Sequence, residues 1–491
     1  GYYFEIYPEG FVRVDRYDTL NYEIKPQASM NMKWGITPQT TLNGTVYPDF
    51  AQIESDPFTV NLSRYPTYLN ERRPFFLEGK DIFRMTEFGE GKGFFSPLNI
   101  FYSRRIGKSM NGDVIPIIGG LKLTNKSRRF DFGMLSTYTD KYEKNDSVLE
   151  SRRTFGVARA IYKLMGNSDV GMLFSGTAID QDDYNAALGL DAALRKGANQ
   201  LVIQIAGSSC NNKMGWGTAT GYCGINKGIL TIGSAEVIHD SFDVSKIGYV
   251  PWVGRRRMLF FVGPFRQYPK SYMRSIYLGP GLIAIQEPGS EDWSKLVGIE
   301  INPNFRNHWG FDLSGFVGPY YEADTNYLHK EANLSCWGNV ADNNINLGTY
   351  VSYDYNYRRG FLAWRNEGWF NYRYSIILNL GASININDWV EWDTLHKLIA
   401  IITLLRPRID IRFNSRSTLS FFTEIVLETP STEFGETDFL SNRNGLLFSW
   451  NFRPKSWIYV ALNDYREQDD YHVLKHQYLI GAVKAKYLIY F

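Results

Sequence analysis

Apolar and polar residues alternate along most of the chain, and this alternation predicts β-strands. Between residues 374 and 387, seven mostly apolar side chains alternate with seven that are mostly small or polar. The stretches 351–358, 406–413 and 446–453 follow the same two-residue period. Such a period is typical of strands whose two faces meet different surroundings.

The length of these strands separates two architectures. Several predicted strands run past about ten residues, whereas strands in soluble proteins are usually ~5–6 residues long and membrane-crossing strands need ~9–11. Aromatic residues near strand ends, such as Trp364, Trp369 and Tyr374, are typical of the girdles at membrane interfaces. We therefore predict an all-β fold, a transmembrane antiparallel β-barrel of about 18–22 strands. A soluble β-rich protein with aromatic cross-strand pairs is the alternative.

The connections between the strands are unequal in length. Short turns are predicted at 125–127, 166–168, 196–197, 359–360 and 453–455. Longer polar connections are predicted at 141–150, 208–224, 239–254, 286–293 and 429–443. Short periplasmic turns and long extracellular loops are the usual asymmetry of outer-membrane barrels. Residues 388–398 place tryptophans and leucines near helical spacing, which fits either a short interfacial helix or the start of a strand.

The C-terminal segment has the pattern of a barrel-closing strand. Tyr487, Ile489 and Phe491 lie on one face of an extended segment, and the last residue is aromatic. This ending resembles the signal read by the bacterial barrel assembly machinery. We expect these three residues to belong to the strand that closes the barrel.

Residues 48–106 break the alternation with prolines and paired charges, which excludes regular membrane strands. Irregular backbone cannot face lipid because its polar groups would go unpaired, so the segment lies either in the lumen as a plug or outside the membrane. We expect its charges to form an ion-pair network within the segment or with inward residues such as Asp354 and Asp410. The network comprises Asp49, Glu54, Asp56, Arg64, Glu71, Arg72, Arg73, Glu78, Arg104 and Arg105. Residues 1–491 then form a single barrel domain that includes the plug.

Three runs in this region carry a resemblance to a known family. They are Pro48-Asp-Phe-Ala-Gln-Ile-Glu-Ser-Asp-Pro57, Glu71-Arg-Arg-Pro-Phe-Phe-Leu-Glu-Gly79 and Tyr102-Ser-Arg-Arg-Ile-Gly107. Together with residues 441–456, they resemble a large uncharacterised family of bacterial outer-membrane β-barrel proteins. Members often carry an N-terminal module similar to family 9 carbohydrate-binding modules. The resemblance implies an outer-membrane barrel in a Gram-negative-type envelope and supplies no substrate. The module would precede Gly1, so no sugar-binding residue is carried over.

Composition narrows the classes of protein further. The net charge of +2 gives no reason to expect a nucleic-acid partner. No apolar run reaches the ~18 residues of a membrane helix, and a mean hydropathy of −0.30 fits strands in which only alternate residues face lipid. We expect an export signal to be missing from this sequence. Cys210 and Cys223 flank a Gly- and Asn-rich stretch and form either a disulfide or two unpaired thiols, and Cys336 is left over.

Candidate chemistry is sparse. Glu71 and Glu78 could act as a glycosidase pair, but the neighbouring arginines favour structural ion pairs. The acidic residues at 180–183 fit a solvated loop better than a calcium loop. We expect no enzyme activity, no cofactor and no metal site.

The predicted function is passage through the outer membrane or anchoring there. One hypothesis is a channel or transporter for a solute or polymer, gated or filled by the 48–106 segment. The other is a structural or anchoring component of a larger envelope complex, including a sheath for a partner protein such as a multihaem cytochrome. Expected partners are outer-membrane lipid, the assembly machinery and other envelope proteins.

Overall fold

The computed structural model describes residues 3–16, 21–48, 60–61, 64–89, 93–108, 114–144, 147–340, 343–377, 379–430 and 434–491. Within these residues the chain forms a closed antiparallel barrel of 24 strands. Each strand pairs with the next along the chain, and β26 pairs with β1 to close the barrel. The two-residue strand β27 continues β26 along β1, and the short hairpin β6–β7 lies apart from the barrel sheet.

The strand bounds follow in chain order. The first group is β1 Tyr3–Arg16, β2 Glu23–Thr37, β3 Thr40–Val46, β4 Ile117–Lys126, β5 Phe130–Thr139, β6 Tyr142–Lys144, β7 Ser147–Glu150, β8 Arg153–Lys163 and β9 Asp169–Ala178. The second is β10 Tyr184–Lys196, β11 Asn199–Cys210, β12 Lys213–Asn226, β13 Ile229–Ile238, β14 Arg256–Gln267, β15 Met273–Gln286, β16 Ser294–Phe305, β17 Trp309–Glu322 and β18 Thr325–Val340. The third is β19 Asn343–Asn356, β20 Phe361–Ile377, β21 Leu380–Trp392, β22 Leu398–Asn414, β23 Ser417–Pro430, β24 Asp438–Arg453, β25 Ser456–Gln468, β26 Leu474–Lys486 and β27 Ile489–Tyr490.

Helical structure is confined to single turns. One α-helical turn, α1, spans Pro74–Leu77, and 3-10 turns lie at Lys80–Phe83, Ser103–Arg105, Met165–Asn167 and Phe434–Glu436. Among the described residues, no helix is long and apolar enough to cross a bilayer.

The strands place polar residues inside the barrel and apolar residues outside it, which is the reverse of a soluble protein. On β10, the inward Asn185 and Asp191 are buried, whereas the outward Leu188 and Leu190 are about half exposed. On β22, Ile409 is likewise exposed on the outer face, as the alternation predicted. An apolar exterior around a polar interior is the arrangement of a barrel in lipid. The prediction of a transmembrane antiparallel β-barrel is confirmed, and the protein resides in the bacterial outer membrane.

The closing seam is held by backbone pairing and by inward charges. Strand β26 pairs with β1 from Lys486 opposite Glu9 to Leu479 opposite Arg16. Inside the barrel, Lys484 Nζ lies 2.8 Å from Glu9 Oε2, and Lys486 Nζ lies 3.4 Å from Glu9 Oε1. Beyond β26, Ile489 lies opposite Ile6 on β1. Tyr487, Ile489 and Phe491 therefore lie along the closing strand, with partly exposed side chains.

The strand number exceeds the predicted 18–22. The alternation at 374–387 was interpreted as one strand, but it spans the end of β20 and the start of β21. The two positions between these strands preserve the two-residue period of the sequence, so the outward side chains continue from Tyr374 and Ile376 to Ala382 and Ile384. The 208–224 stretch was interpreted as a loop, but it is the hairpin of β11 and β12 with a turn at 211–212. Residues 388–398 contain the end of β21, a turn and the start of β22, not a helix.

The short turns at 127–129, 197–198 and 454–455 lie at the same end of the barrel as Tyr3 and the C-terminus, here called the terminal end. The connections at 239–255 and 287–293 lie at the opposite end. The turn at 359–360, predicted with the short turns, also lies at that opposite end. The longer connections therefore tend to lie at the opposite end and the shorter ones at the terminal end, as predicted, but individual turns depart from this rule.

The disulfide alternative is wrong, because Cys210 and Cys223 are not joined by a disulfide. Cys210 ends β11 and pairs with Lys213 at the start of β12. Cys223 lies ten residues further along β12, which at ~3.3 Å per residue is about 33 Å away. A disulfide requires Cα atoms within ~7 Å.

Candidate functional site

The segment that links β3 to β4 lies against the inward face of the barrel wall. Its described parts, residues 64–89 and 93–108, are here called the luminal segment. The backbone N–H of Leu98 donates to Gln204 Oε1 at 2.7 Å, and that of Thr86 donates to Asp191 Oδ2 at 2.8 Å. Because Gln204 and Asp191 are inward residues of β11 and β10, the segment occupies the lumen at these strands.

Apolar packing is the main anchor of the luminal segment. Phe76, Ile82, Phe83, Leu98 and Ile100 are each at most 4% exposed. They form one cluster with inward residues of strands from β5 to β13 and with residues 242–250 of the β13–β14 connection. Full burial of such side chains contributes ~1.5–3 kcal/mol each. Apolar packing therefore contributes more to holding the segment in the lumen than the charged residues noted in the sequence.

A compact group of polar contacts, here called the latch, joins the two ends of the luminal segment. Glu71 Oε2 lies 2.7 Å from Arg73 Nη2 and accepts from Ser103 Oγ at 2.6 Å. Arg73 also donates to the carbonyls of Ser103 and Ile106, at 2.6 Å each. Burial alone would raise the pKa of Glu71, but the hydrogen bonds and charge of Arg73 and the Ser103 hydroxyl lower that pKa to about 2. Glu71 is thus held ionised and has no proton to donate at neutral pH.

Three other arginines of the luminal segment donate to carbonyl groups, whereas Arg84 pairs with Glu87 at 3.6 Å. Arg104 donates to the carbonyl of Asn70 at 2.9 Å and Arg105 to that of Gly248 at 3.2 Å. Arg64 donates to the carbonyl of Pro288 at 3.0 Å, and the backbone N–H of Arg72 donates to Glu71 at 2.9 Å. An irregular segment has many carbonyls without ladder partners, and a guanidinium has five donors to satisfy them.

The wall carboxylates named in the sequence analysis bind wall arginines instead. Asp354 pairs with Arg365 on the next strand at 2.7 Å, and Asp410 pairs with Arg408 on its own strand at 2.9 Å. The expectation that these two residues hold the plug is therefore wrong, because nearer partners on the wall use them. Asp49, Glu54 and Asp56 lie outside the described residues.

Two buried cations of the wall were missed in the sequence. Lys122 of β4 is 1% exposed and donates to the carbonyls of Phe75 and Glu78 in the luminal segment. Arg159 of β8 forms a two-point pair with Asp191, and both side chains are fully buried. Each occupies an inward position of its strand, and the alternation that gives this position was the one feature of the sequence that could have identified them.

At the terminal end, a cavity of about 210 Å³ separates the luminal segment from the seam strands. Lys484, Lys486 and Lys33 line it together with Glu9 and Glu78. Lys33 Nζ lies 2.5 Å from Glu78 Oε1. The carboxylates of this cavity are thus paired with lysines.

Toward the opposite end, a second cavity of about 300 Å³, here called the tyrosine cavity, lies between residues 64–65 and the wall from β14 to β20. Glu287 accepts from both Tyr65 and Tyr320 at 2.7 Å. Glu322 accepts from Tyr327 at 2.5 Å and from Tyr357 at 3.0 Å, and Glu331 accepts from Tyr350 at 2.7 Å. Burial and the nearby Glu287 carboxylate raise the pKa of Tyr65, so this tyrosine remains a donor.

Among the described residues, no three or more His, Cys, Asp or Glu side chains are grouped so that they could hold a metal ion. Glu71 and Glu78 have separate partners, Arg73 and Lys33. The two carboxylates therefore do not share a site in the way a glycosidase pair does.

Comparison with known proteins gives one family match. Residues 5–118 match a family described as a domain of unknown function, DUF5916. This span contains β1–β3 and the luminal segment, and it covers less than a quarter of the chain. No curated protein matches the chain.

Among solved structures, the chain matches receptors and a porin. A mutant ferric enterobactin receptor from Pseudomonas aeruginosa, PfeA, in complex with enterobactin has a TM-score of 0.46 at 8% identity, covering 98% of this chain and 81% of that one. The ferric yersiniabactin uptake receptor FyuA from Yersinia pestis has a TM-score of 0.44 at 9% identity, covering 98% and 80%. The NanC porin has a TM-score of 0.22 at 9% identity, covering 40% and 93%. What those receptors bind is a property of those proteins.

Proposed function

We propose that the protein is an outer-membrane channel or transporter for polar solutes, and that the luminal segment narrows its path. The observation that carries the proposal is that cavities remain between the described segment and the barrel wall. Its hydrogen bonds to the wall involve inward residues of strands from β2 to β14. The cavities lie between the described segment and the wall, one at β14–β20 and the other at β1–β4 and β26. On the far wall, Val60 of the same chain segment packs against inward apolar residues of β21–β23.

The dimensions of the barrel support the proposal. A circular barrel of 24 strands, spaced about 4.8 Å apart and tilted about 40°, is about 48 Å across between opposite backbones. A lumen of this width leaves room for a solute beside the described segment. The far wall suits a polar path, because it carries inward ion pairs such as Arg365–Asp354 and Arg408–Asp410.

Solute flux into liposomes tests the proposal. Purified barrel is reconstituted into liposomes, and swelling is followed in isosmotic solutions of neutral solutes of increasing size. We expect swelling with small polyols that falls off as solute size increases, since the luminal segment limits the cross-section. Glu71→Gln, which weakens the latch, should extend swelling to larger solutes, and Glu78→Gln is the matched control.

If neither the wild type nor Glu71→Gln admits any solute, while both run as folded barrels on heat-modifiability gels, the channel proposal fails. The anchoring hypothesis, in which the barrel holds an envelope partner and passes nothing, would then account for the protein.

A further inference from the structure

We propose that the tyrosine cavity binds a neutral polyhydroxylated solute, a saccharide, at the opposite mouth of the barrel. This inference rests on the proposed transport function and names the class of solute that the path would take. The cavity lies where β17 ends and β18 begins, and Glu322 and Tyr327 line it. A solute entering from that end would meet it before it reached most of the luminal segment.

The charges around the tyrosine cavity favour an uncharged ligand. Four carboxylates and four arginines line it, so their formal charges cancel. Several of these groups already have partners of opposite sign, such as Asp354 with Arg365 inside the cavity and Arg255 with Glu236 outside its lining. An anion would compete with the carboxylates and a cation would be repelled by the arginines, whereas a neutral solute disturbs neither set.

Two buried acceptors in the cavity have no partner among the described residues. They are His329 Nδ1 and Asp354 Oδ1, in residues that are each 6% exposed. His329 Nε2 lies 3.1 Å from Glu331 Oε2. In the neutral imidazole that donates from Nε2, Nδ1 is an acceptor. Buried acceptors without partners are costly, and a ligand hydroxyl that reached them through a small side-chain shift would satisfy both.

The cavity also offers donors and flat apolar faces. Among the described residues, the Arg257 guanidinium makes one hydrogen bond, to Ser96 Oγ at 3.0 Å, which leaves further N–H groups on the cavity wall. The Tyr320 ring lies 5.8 Å from the Tyr327 ring and 5.3 Å from the His329 ring, centroid to centroid. Carboxylates hold the tyrosine hydroxyls, so the rings are fixed in place before a ligand arrives.

This combination fits a sugar ring better than other polar solutes. A sugar presents hydroxyl groups that both donate and accept, together with C–H faces that stack on aromatic rings. The cavity volume of about 300 Å³ lies at the lower limit of the range usual for ligand sites, ~300–1,000 Å³. One or two sugar units of a longer chain are therefore the expected occupants.

Calorimetric titration of the purified barrel tests the inference without requiring transport. The probes are maltohexaose, cellohexaose and xylohexaose, and the control probe is polyethylene glycol of similar mass, which has no hydroxyl donors along its chain. We expect at least one hexasaccharide to bind the wild type with a millimolar or lower Kd. Asp354→Asn and His329→Phe, which each remove one of the free acceptors, should weaken that binding about tenfold. Asp312→Asn is the matched control: this inward carboxylate on β17 is bound by Asn333 at 3.1 Å outside the cavity, and its loss should leave binding unchanged.

The outcomes separate this inference from the proposed function. If no hexasaccharide binds, if polyethylene glycol binds equally well, or if Asp312→Asn weakens binding as much as Asp354→Asn, the saccharide site is overturned even when liposomes swell. If a hexasaccharide binds with the expected variant pattern but no solute enters liposomes, the site stands and the channel proposal fails. Heat-modifiability gels identify any variant that fails to fold. If Asp354→Asn does not fold, the binding of His329→Phe decides the test.

Discussion

Replacing Glu71 with Gln should loosen the luminal segment at both of its ends. The Glu71 carboxylate accepts from Arg73 and from Ser103, and Arg73 in turn holds the carbonyls of Ser103 and Ile106. The substitution keeps the shape of the side chain but removes its charge. Arg73 then remains buried beside a neutral amide, and the contact between residues 71–73 and 103–106 is weakened.

The magnitude follows from the electrostatics of the latch. Lowering the pKa of a carboxyl group from its ordinary value of about 4.3 to about 2 corresponds to about 3 kcal/mol in favour of the ionised form. Both side chains of the pair are 9% exposed, so solvent screening reduces this figure little. A free-energy loss of that size makes local opening about a hundredfold more frequent.

Hydrogen exchange measured by mass spectrometry checks this figure. Peptides covering residues 69–78 and 101–108 should exchange about a hundredfold faster in Glu71→Gln than in the wild type. Glu78→Gln is the control, because Glu78 is half exposed beside Lys33 and such pairs contribute at most about 1 kcal/mol. Equal exchange in Glu71→Gln and the wild type, or equal acceleration by the two variants, would refute the latch.

The same latch predicts a dependence on pH. Because the folded segment lowers the pKa of Glu71, the stabilisation is fully present above the ordinary pKa of about 4.3 and is lost as the pH falls from there toward about 2. After correction for intrinsic exchange rates, opening of residues 69–78 should increase over this window in the wild type. Glu71→Gln should show no such increase.

Two further predictions concern the barrel itself. Ile409→Arg should reduce the amount of folded barrel in outer-membrane fractions, because a charge on the lipid face costs up to about 2–4 kcal/mol. Asn385→Arg, on the inward face beside Asn371, should be tolerated, and equal loss in both variants would contradict the face assignment. In a background without native cysteines, Asn212→Cys should react with an impermeant maleimide on intact cells and Ser127→Cys should not. The reverse pattern would invert the orientation of the barrel.

The barrel fold could be predicted from the sequence, but the number of its strands could not. Alternation alone separates outward Ile409 from inward Asp410, because a strand has a fixed two-residue period. The same rule concealed the boundary between β20 and β21, since the two positions between them leave the period unbroken and are neither Gly nor Pro. At 208–224, the glycines interpreted as a loop lie within β12, as at Gly215 and Gly221.

The position of the luminal segment was predictable, whereas its anchoring and the tyrosine cavity were not. Prolines and charges exclude it from lipid, but Phe76, Ile82 and Leu98 follow no period, so nothing in the sequence marks them as one buried cluster. The tyrosine cavity joins Tyr65 to Glu287, more than two hundred positions away. Contacts of that kind depend on barrel closure and register, which a single sequence does not contain.

Single-channel recording in planar lipid bilayers tests the central claim, a polar path beside the luminal segment, most directly. The wild-type barrel should give discrete, stable current steps. Glu71→Gln should give larger or flickering steps, and Glu78→Gln should match the wild type. Insertion of folded barrel that leaves the bilayer without current steps, in the wild type and in Glu71→Gln alike, would contradict the claim.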